Sequence, residues 1–450
     1  MKEINDTIAA ISTPRGKGGI AIIRISGKDT FNIIRCIFEP YSHIKKFQAN
    51  RTYPGRLKFE DELIDEVIIS VFKHPKSYTG EDIVEISCHG GSYISNRVLE
   101  LVLSQGARHA KKGEFTRRAF FNGKLDLTEA ESVIDLIDSK TQKSQKAAID
   151  RLEGKLYLGI KNIIAEINSL RTELELDIDF PEHSNEQTDY QNIIEKINSI
   201  LKQISGLIIT ADEGIILNEG YRIAIAGEPN AGKSSIFNQL IADERSIVTH
   251  IPGTTRDFIE EDISLDGYWI KLFDTAGLRK SRDIIEKTGI AKSYDIVKNA
   301  HLILWVEDCM TNKNFKIPDK IKGKDHFILI NKVDLVPESK RKIPETENTV
   351  KVSAKTGFNV ENLKKKIVNK IDIGEYDTSQ GLISNARQLS SAKKCKDSLK
   401  NALNSAKNAT GFEFVAFDLR EASQHLEEII GKITNEEIIN QIFDRFCVGK

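Results

Sequence analysis

Cysteine is scarce in this chain of 450 residues, and its scatter is informative. Cys36, Cys88, Cys309, Cys395 and Cys447 show no metal-ligand spacing, and an odd, dispersed set is no disulfide framework. Such usage points to a reducing compartment. An excess of charge of one sign is also missing: 65 Lys and Arg face 66 Asp and Glu. A net charge of −1 excludes a chain-wide nucleic-acid footprint. Any RNA contact has to be a local patch or come through a partner. No apolar run reaches bilayer-spanning length, and Met1-Lys-Glu-Ile-Asn-Asp has no signal-peptide core. The expectation is a cytoplasmic protein with no membrane contact. The 40% apolar and 29% charged fractions fit a soluble globular chain, and the length suits about three domains.

What is present is a run of nucleotide-binding signals. Gly227-Glu-Pro-Asn-Ala-Gly-Lys-Ser234 fits the phosphate-loop pattern G-x-x-x-x-G-K-[ST]. A strand-like stretch, Arg222 to Ala226, precedes it, and a helix-like one, Ser235 to Leu240, follows. Strand, glycine-rich loop and helix are the context this motif needs, because loop amides and the helix N-terminus form an anion cradle. Lys233 would reach the β- and γ-phosphates, and Ser234 would bind Mg²⁺. Asp274-Thr-Ala-Gly277 follows the apolar run Trp269 to Phe273, where an Asp can hold the Mg²⁺ water shell and Gly277 can sense a γ-phosphate. Asn331-Lys-Val-Asp334 follows the strand-like Phe327 to Ile330. A carboxylate at Asp334 accepts from the guanine edge and mismatches adenine, which favours GTP. Ser353-Ala-Lys355 follows Val350 to Val352 and can close over the base. Gly253-Thr-Thr-Arg-Asp257 stands where a switch loop with a Mg²⁺-binding Thr belongs. Five elements in this order form a full GTPase signature.

Around that module the period changes. Residues 1–120 alternate strands (Gly19 to Ile25, Val67 to Phe72, Ile83 to Ser87) with a helix, Ile94 to Leu103, as in a small α/β domain. From 121 to 218 the spacing is helical. Ile149, Leu152, Leu156, Ile160 and onward to Leu174 predict one long amphipathic helix, and Ile193, Ile197, Ile200, Ile204 and Leu207 predict a second. The GTPase module occupies 219–375, with Asp266-Gly267 as a hairpin turn. Helical spacing returns over 376–450. The fold class expected is multidomain α/β plus all-α, with a Ras-like P-loop domain inserted into a discontinuous helical domain.

Three further features carry a family resemblance. They are Thr79-Gly-Glu-Asp82 with His89-Gly-Gly91, Gly113-Glu-Phe-Thr-Arg-Arg-Ala119 with Asn122-Gly-Lys-Leu-Asp126, and the terminal Cys447-Val-Gly-Lys450. With the inserted GTPase, they make the chain resemble the MnmE (TrmE) family of bacterial tRNA-modification GTPases over its whole length. The resemblance implies work with a flavoprotein, MnmG, in a heterotetramer or larger complex, on the wobble uridine of certain tRNAs. An aminomethyl or carboxymethylaminomethyl group is added at C5, and a tetrahydrofolate supplies the one-carbon unit, as 5,10-methylenetetrahydrofolate or, in an analogue, 5-formyltetrahydrofolate. FAD is implied on the partner only. An N-terminal folate-binding domain that mediates a homodimer is implied as well.

Carried over residue by residue, the resemblance places folate on Arg24, Glu85, Lys124 and Lys450. It places K⁺ on Asn230, Thr249, Ile251 and Thr254, and Mg²⁺ on Ser234 and Thr255. The wider GTP site would add Ala231, Gly232, Lys233, Ser235, Asp274, Thr275, Ala276, Gly277, Asn331, Lys332, Asp334, Ser353, Ala354 and Lys355. Leu278 stands where Ras-like proteins carry a water-orienting Gln, and the resemblance assigns that work to Glu286, the catalytic residue. Cys447 is open between a reactive role and packing beside a pterin. His250 replaces an expected Asp, and Lys17 an expected Arg.

A ribosome-assembly checkpoint GTPase shares the nucleotide motifs, but it would add a KH-like module with a basic surface, and none is legible. A membrane-remodelling GTPase would need an amphipathic anchor, which is also missing. Base choice is the directly testable point. Asp334→Asn is expected to weaken GTP binding and improve xanthosine triphosphate binding, because the amide offers a donor where guanine needs an acceptor. Competition between the two nucleotides checks it, and an unchanged preference for GTP contradicts it.

Overall fold

The computed structural model describes residues 6–14, 16–60, 62–179, 190–242, 260–274, 296–310, 321–336, 346–371, 381–433 and 435–450. They form two compact units. The first combines Met1–Ile134, Leu152–Ile160 and Ser423–Lys450; the second combines Asp135–Arg151 and Lys161–Ala422.

The first unit is built on seven strands: β1 (Ile8–Ile11), β2 (Ile20–Ser26), β3 (Phe38–Pro40), β4 (Arg51–Phe59), β5 (Glu62–Phe72), β6 (Ile83–His89) and β7 (Arg108–His109). Their order is β3-β4-β5-β6-β2-β1-β7. The three strands expected from β-branched runs are all present, and β5 extends upstream of Val67. Strand β4 was hidden by its composition, since Pro54 and Gly55 interrupt a pattern of exposed Arg51 and Arg56 and half-buried Lys58. Helices Thr30–Ile37 and Ser92–Ser104 pack Ile33, Ile34, Ile37, Val98 and Val102 into the sheet's core. The two glycine-rich loops hold each other: Gly18 N donates to Gly90 O (3.1 Å) and Gly90 N to Gly19 O (3.2 Å). A Cβ on Gly90 would stand 2.5 Å from the Gly18 carbonyl, so no side chain fits there.

The chain's last helix, Glu436–Asp444, is capped by Asn435, whose side chain accepts from Glu437 N (3.1 Å). Ile439, Ile442, Phe443 and Phe446 bury against Leu127 and Ala130. Gly113, at φ 63°, lets the Phe443 carbonyl approach closely; a Cβ there would be 2.5 Å from it.

The second unit carries the other sheet, β8 (Tyr221–Gly227), β9 (Glu260–Leu265), β10 (Tyr268–Asp274), β11 (Leu302–Asp308), β12 (His326–Asn331) and β13 (Thr349–Lys351). Its order is β13-β12-β11-β8-β10-β9, parallel except for β9. The β9–β10 hairpin turns on Asp266 (φ 52°) and Gly267 (φ 81°), both left-handed as a two-residue type I′ loop requires. The helical stripe of Ile193, Ile197, Ile200, Ile204 and Leu207 is buried in helix Tyr190–Ile209, which packs on helix Ala386–Lys407. The predicted helix over 149–174 is two helices, Gln142–Leu152 and Lys155–Asp179, because Gly154 takes φ 81°. Ile149 lies off the buried stripe and is 36% exposed. Gly214 lies against the Ile383 carbonyl, and Asn218 Nδ2 donates to Ser384 O (3.3 Å). Segments before and after the nucleotide-binding sheet thus meet, as an inserted domain requires. Among the described residues, no helix is long and apolar enough to cross a membrane.

Arg118 holds the first unit together from within. It is 1% exposed, and its guanidinium reaches Asp6 Oδ1 (2.6 Å), Glu81 Oε1 (3.1 Å) and Glu114 Oε1 (3.2 Å). Burial works against the carboxylates of Asp6 and Glu114, but hydrogen bonds from Arg108 and Arg118 outweigh it and hold both below their usual range. Groups with depressed pKa contribute stability that is present above the ordinary carboxylate range and lost as pH falls below it. Arg118→Leu is therefore expected to destabilise the first unit by roughly 3–5 kcal/mol near neutrality. The deficit should shrink as pH falls below the ordinary carboxylate range and on through the depressed values of the folded protein, where the carboxylates become protonated in the intact protein too. Hydrogen exchange of the β1 and β2 amides measures it, and a deficit independent of pH would assign Arg118 to packing alone.

Candidate functional site

The nucleotide motifs meet at the C-terminal ends of the parallel strands. Strand β8 ends at Gly227, whose φ of 144° and contact with the Val306 carbonyl of β11 leave no room for a side chain. Asn230 turns the loop in the left-handed region (φ 60°), and Gly232 (φ 95°) packs against the Asn331 amide. Helix Lys233–Ala242 then starts, with its first amides unpaired within the helix and its positive dipole end at the loop. Lys233 Nζ donates to Gly227 O (3.1 Å) and Glu228 O (2.6 Å), so the ammonium lies across its own loop. Ser234 Oγ donates to Asp274 Oδ2 (2.9 Å). Asp274 is the last residue of β10, pairs in register with Ile225 and is buried.

Asn331, at the end of β12 and 2% exposed, is the hub. Its Nδ2 donates to Ala231 O (2.9 Å), and its Oδ1 accepts from Ala354 N (3.0 Å). One side chain thereby fixes the phosphate loop to the 353–355 segment. Lys332 (φ 65°) donates to Asn230 O (2.8 Å) and to Asp308 Oδ2 (2.7 Å). Burial opposes the Asp308 carboxylate, yet the Lys332 hydrogen bond wins and holds its pKa low. Asp334 lies exposed in the turn Val333–Leu335, where it accepts from Ser353 Oγ (2.6 Å). Ser235 and Lys355 are exposed at the rim.

A second cluster belongs to the first unit. Arg24 and Glu85 are direct cross-strand partners in β2 and β6, joined at 2.7 and 2.8 Å through Nη2 and Nε. The guanidinium lies over Tyr78 (5.3 Å) and Phe115 (5.5 Å). The C-terminal tail runs beside them. Val448 bridges to Lys112, Lys450 O accepts from Phe115 N (3.2 Å), and Gly449 O accepts from Ser12 Oγ (2.9 Å). Gly449 (φ 99°) lies so close to the Ile11 carbonyl that only glycine fits. Lys124 Nζ donates to Pro75 O (3.3 Å), and its stem lies beside Gly80. The turn from Tyr78 to Gly80 therefore links Lys124 to Arg24, while Phe115 links Arg24 to the tail. Cys447 is exposed.

A family model described as the GTP-binding protein TrmE N-terminus matches residues 7–124, and one described as the MnmE helical domain matches 127–447. The tRNA modification GTPase MnmE of Thermoanaerobacter pseudethanolicus is 40% identical over 461 residues, covering 99% of each chain. That of Clostridioides difficile is 38% identical over 457 residues, covering 99% of this chain and all of its own. The chain belongs to the MnmE family of tRNA modification GTPases.

Among solved structures, the G domain of the T. maritima FeoB iron transporter is 28% identical, covering 34% of this chain and 99% of its own, at a TM-score of 0.24 that carries no weight. The MnmE-type residues Thr249, Ile251, Thr254, Thr255, Thr275, Ala276, Gly277 and Glu286 lie outside the described residues, as do His250 and Leu278. The other expected GTP residues gather at one end of the second sheet. Of the four expected folate residues, Arg24 and Glu85 pair directly, Lys450 joins through its backbone, and Lys124 stands across the Tyr78–Gly80 turn.

Sequence reasoning missed Asp308, the anchor for Lys332, although its place at a strand end after Leu302 to Val306 was a usable signal. It missed Glu307 too. That side chain is 1% exposed, takes one hydrogen bond from Trp305 Nε1 (3.1 Å) and is pushed up in pKa by burial. It also missed the aromatic platform of Tyr78 and Phe115.

Proposed function

We propose that this chain hydrolyses GTP, with K⁺ and Mg²⁺, during folate-dependent modification of the wobble uridine of tRNA, with a flavoprotein partner that holds the FAD. The observation that carries the GTPase half is the Asn331 hub, which ties a phosphate loop turned on Gly227 and Gly232 to a guanine-side loop bearing Asp334. The observation that carries the folate half is the tail, whose last residue hydrogen-bonds the segment beneath Arg24. The four-segment organisation, 1–120, 121–218, 219–375 and 376–450, and a homodimer through the N-terminal domain belong to the same reading.

The residues present fit the groups invoked. Ser234 and Asp274 offer hard oxygen donors 2.9 Å apart, and with Thr255 they would hold Mg²⁺ or its water shell. The metal would neutralise charge between β- and γ-phosphates. Asn230, Thr249, Ile251 and Thr254 would hold K⁺, a cation in the place an arginine finger takes elsewhere. The chain's own work is positional. Loop amides and Lys233 bind the phosphates, Gly277 reads the γ-phosphate, and Glu286 orients the attacking water. Asp334 selects guanine while the Ser353 hydroxyl holds its carboxylate in place.

In the first unit Glu85, held in place by the Arg24 guanidinium beside the Tyr78 and Phe115 rings, suits the amino edge of a pterin. When bound, folate supplies the one-carbon unit; Lys124 and Lys450 add charge near its tail. The checkpoint-GTPase reading gains nothing specific, because no KH-like module occurs among the described residues.

Removing Cys447 to Lys450 is expected to abolish binding of 5-formyltetrahydrofolate in calorimetry while leaving GTP turnover largely intact. Undiminished binding would make the tail a packing element. Turnover by the full chain is expected to be far faster in K⁺ than in Na⁺, and Asn230→Ala should erase the difference. Equal rates in the two salts would remove K⁺ from the account.

A further inference from the structure

The near-neutral composition leaves room for RNA contact only through a local patch or a partner, and the first unit has such a patch. Residues 42–49, between β3 and β4, together with Arg51 to Tyr53 and Lys73, line an open groove of about 740 Å³. Its lining holds Lys45, Lys46, Arg51 and Lys73, with His43, and contains no Asp or Glu. Neither salt bridges nor side-chain hydrogen bonds to carboxylates engage these four cations among the described residues. Further along β4, by contrast, Arg56 is paired with Glu66 of β5 (3.3 Å) and Lys58 with Glu39 of β3 (2.5 Å).

The loop is shaped from below. Phe47 is buried, stacks on Phe31 (6.1 Å between centroids) and meets Tyr53 edge-on (5.5 Å). Gln48 N donates to Tyr53 OH (2.7 Å), and Asn50 N donates to Val71 O (2.8 Å) across a left-handed φ of 57°. Lys73 Nζ is held over the Phe31 ring at 5.3 Å. These contacts fix the backbone while Lys45, Lys46 and Arg51 remain exposed.

Four like charges in one concavity repel each other, and low-dielectric walls focus their field outward. The arrangement stabilises a bound polyanion at the expense of the free chain. The cations are spread along an open groove rather than converging on one point, which suits a run of phosphates better than a single small anion. We propose that this groove grips the sugar-phosphate backbone of tRNA. The inference rests on the tRNA-modification reading and adds the place of contact.

The test is fluorescence anisotropy of the full chain with an unmodified tRNA transcript, titrated at several salt concentrations. Each phosphate contact contributes about 0.7–0.9 to the slope of log affinity against log salt. Combined Lys45→Ala, Lys46→Ala, Arg51→Ala and Lys73→Ala should flatten that slope by about three and weaken binding at least tenfold at low salt. Replacement of the three lysines by Arg should retain both. Arg56→Ala with Lys58→Ala, which removes cations already paired, should change affinity by less than about twofold. Unchanged hydrogen-exchange protection of the β1 and β2 amides confirms that the first unit of the variants folds.

An unaltered slope in the fourfold variant would overturn the proposal. So would displacement of tRNA by inorganic phosphate at an equal phosphate concentration, which would make the groove a small-anion site. Loss of binding to phosphatidylglycerol vesicles with tRNA binding retained would make it a membrane contact and overturn it as well. Absence of tRNA binding by the unaltered chain would fail the tRNA reading itself, which separates the two failures.

Discussion

The buried amide of Asn331 is the interaction on which the nucleotide site depends. Its two hydrogen bonds, to Ala231 O and from Ala354 N, cross from the phosphate loop to the base-side loop. In a site this dry each bond is stronger than in water, and each unpaired partner would be costly to leave. The amide can sit there because Gly232 has no Cβ to displace it. Lys332, the next residue, adds a second tie to the loop at Asn230 O and is itself anchored by Asp308. Ser234 and Asp274 close the other side. The residues proposed to bind phosphate, guanine and Mg²⁺ are thus held by strand ends of one mostly parallel sheet, the place where such sheets bind ligands.

The first unit obeys a similar economy with different chemistry. Arg118 is buried, and the carboxylates of Asp6, Glu81 and Glu114 compensate it. Glu81 belongs to the Thr79–Asp82 turn, so the same network that stabilises the core also fixes the segment between Tyr78 and Lys124. Backbone contacts of the tail then bring Lys450 to Phe115. The two ends of the chain share one unit, and the proposed folate pocket needs both.

Much of this was legible in the sequence because a backbone constraint and a chemical requirement coincide there. Gly227, Gly232 and the Asp266-Gly267 turn stand where only their conformations fit, and β-branched runs marked β2, β6 and β8. The helical stripe from Ile193 to Leu207 was equally plain. Illegibility had physical causes as well. Pro54, Gly55 and alternating charge disguised β4. Gly154 split a hydrophobic period that reads as continuous, because three- and four-residue spacing says nothing about a left-handed residue between two helices. The Asn331 hub joins residues 100 and 23 positions apart, and the Arg118 network joins residues 112 and 37 apart, so no local pattern encodes either. The cation groove was invisible for another reason: composition averages to neutrality, and only the fold shows which charges lack a partner.

The central claim, a GTPase whose output is a modified wobble uridine, is tested most directly by mass spectrometry of tRNA nucleosides. Cells lacking this gene are compared with cells carrying it intact or as Lys233→Ala. The account expects C5-substituted wobble uridines to vanish without the gene, return with the intact gene and stay absent with Lys233→Ala. The same nucleosides in all three would contradict it.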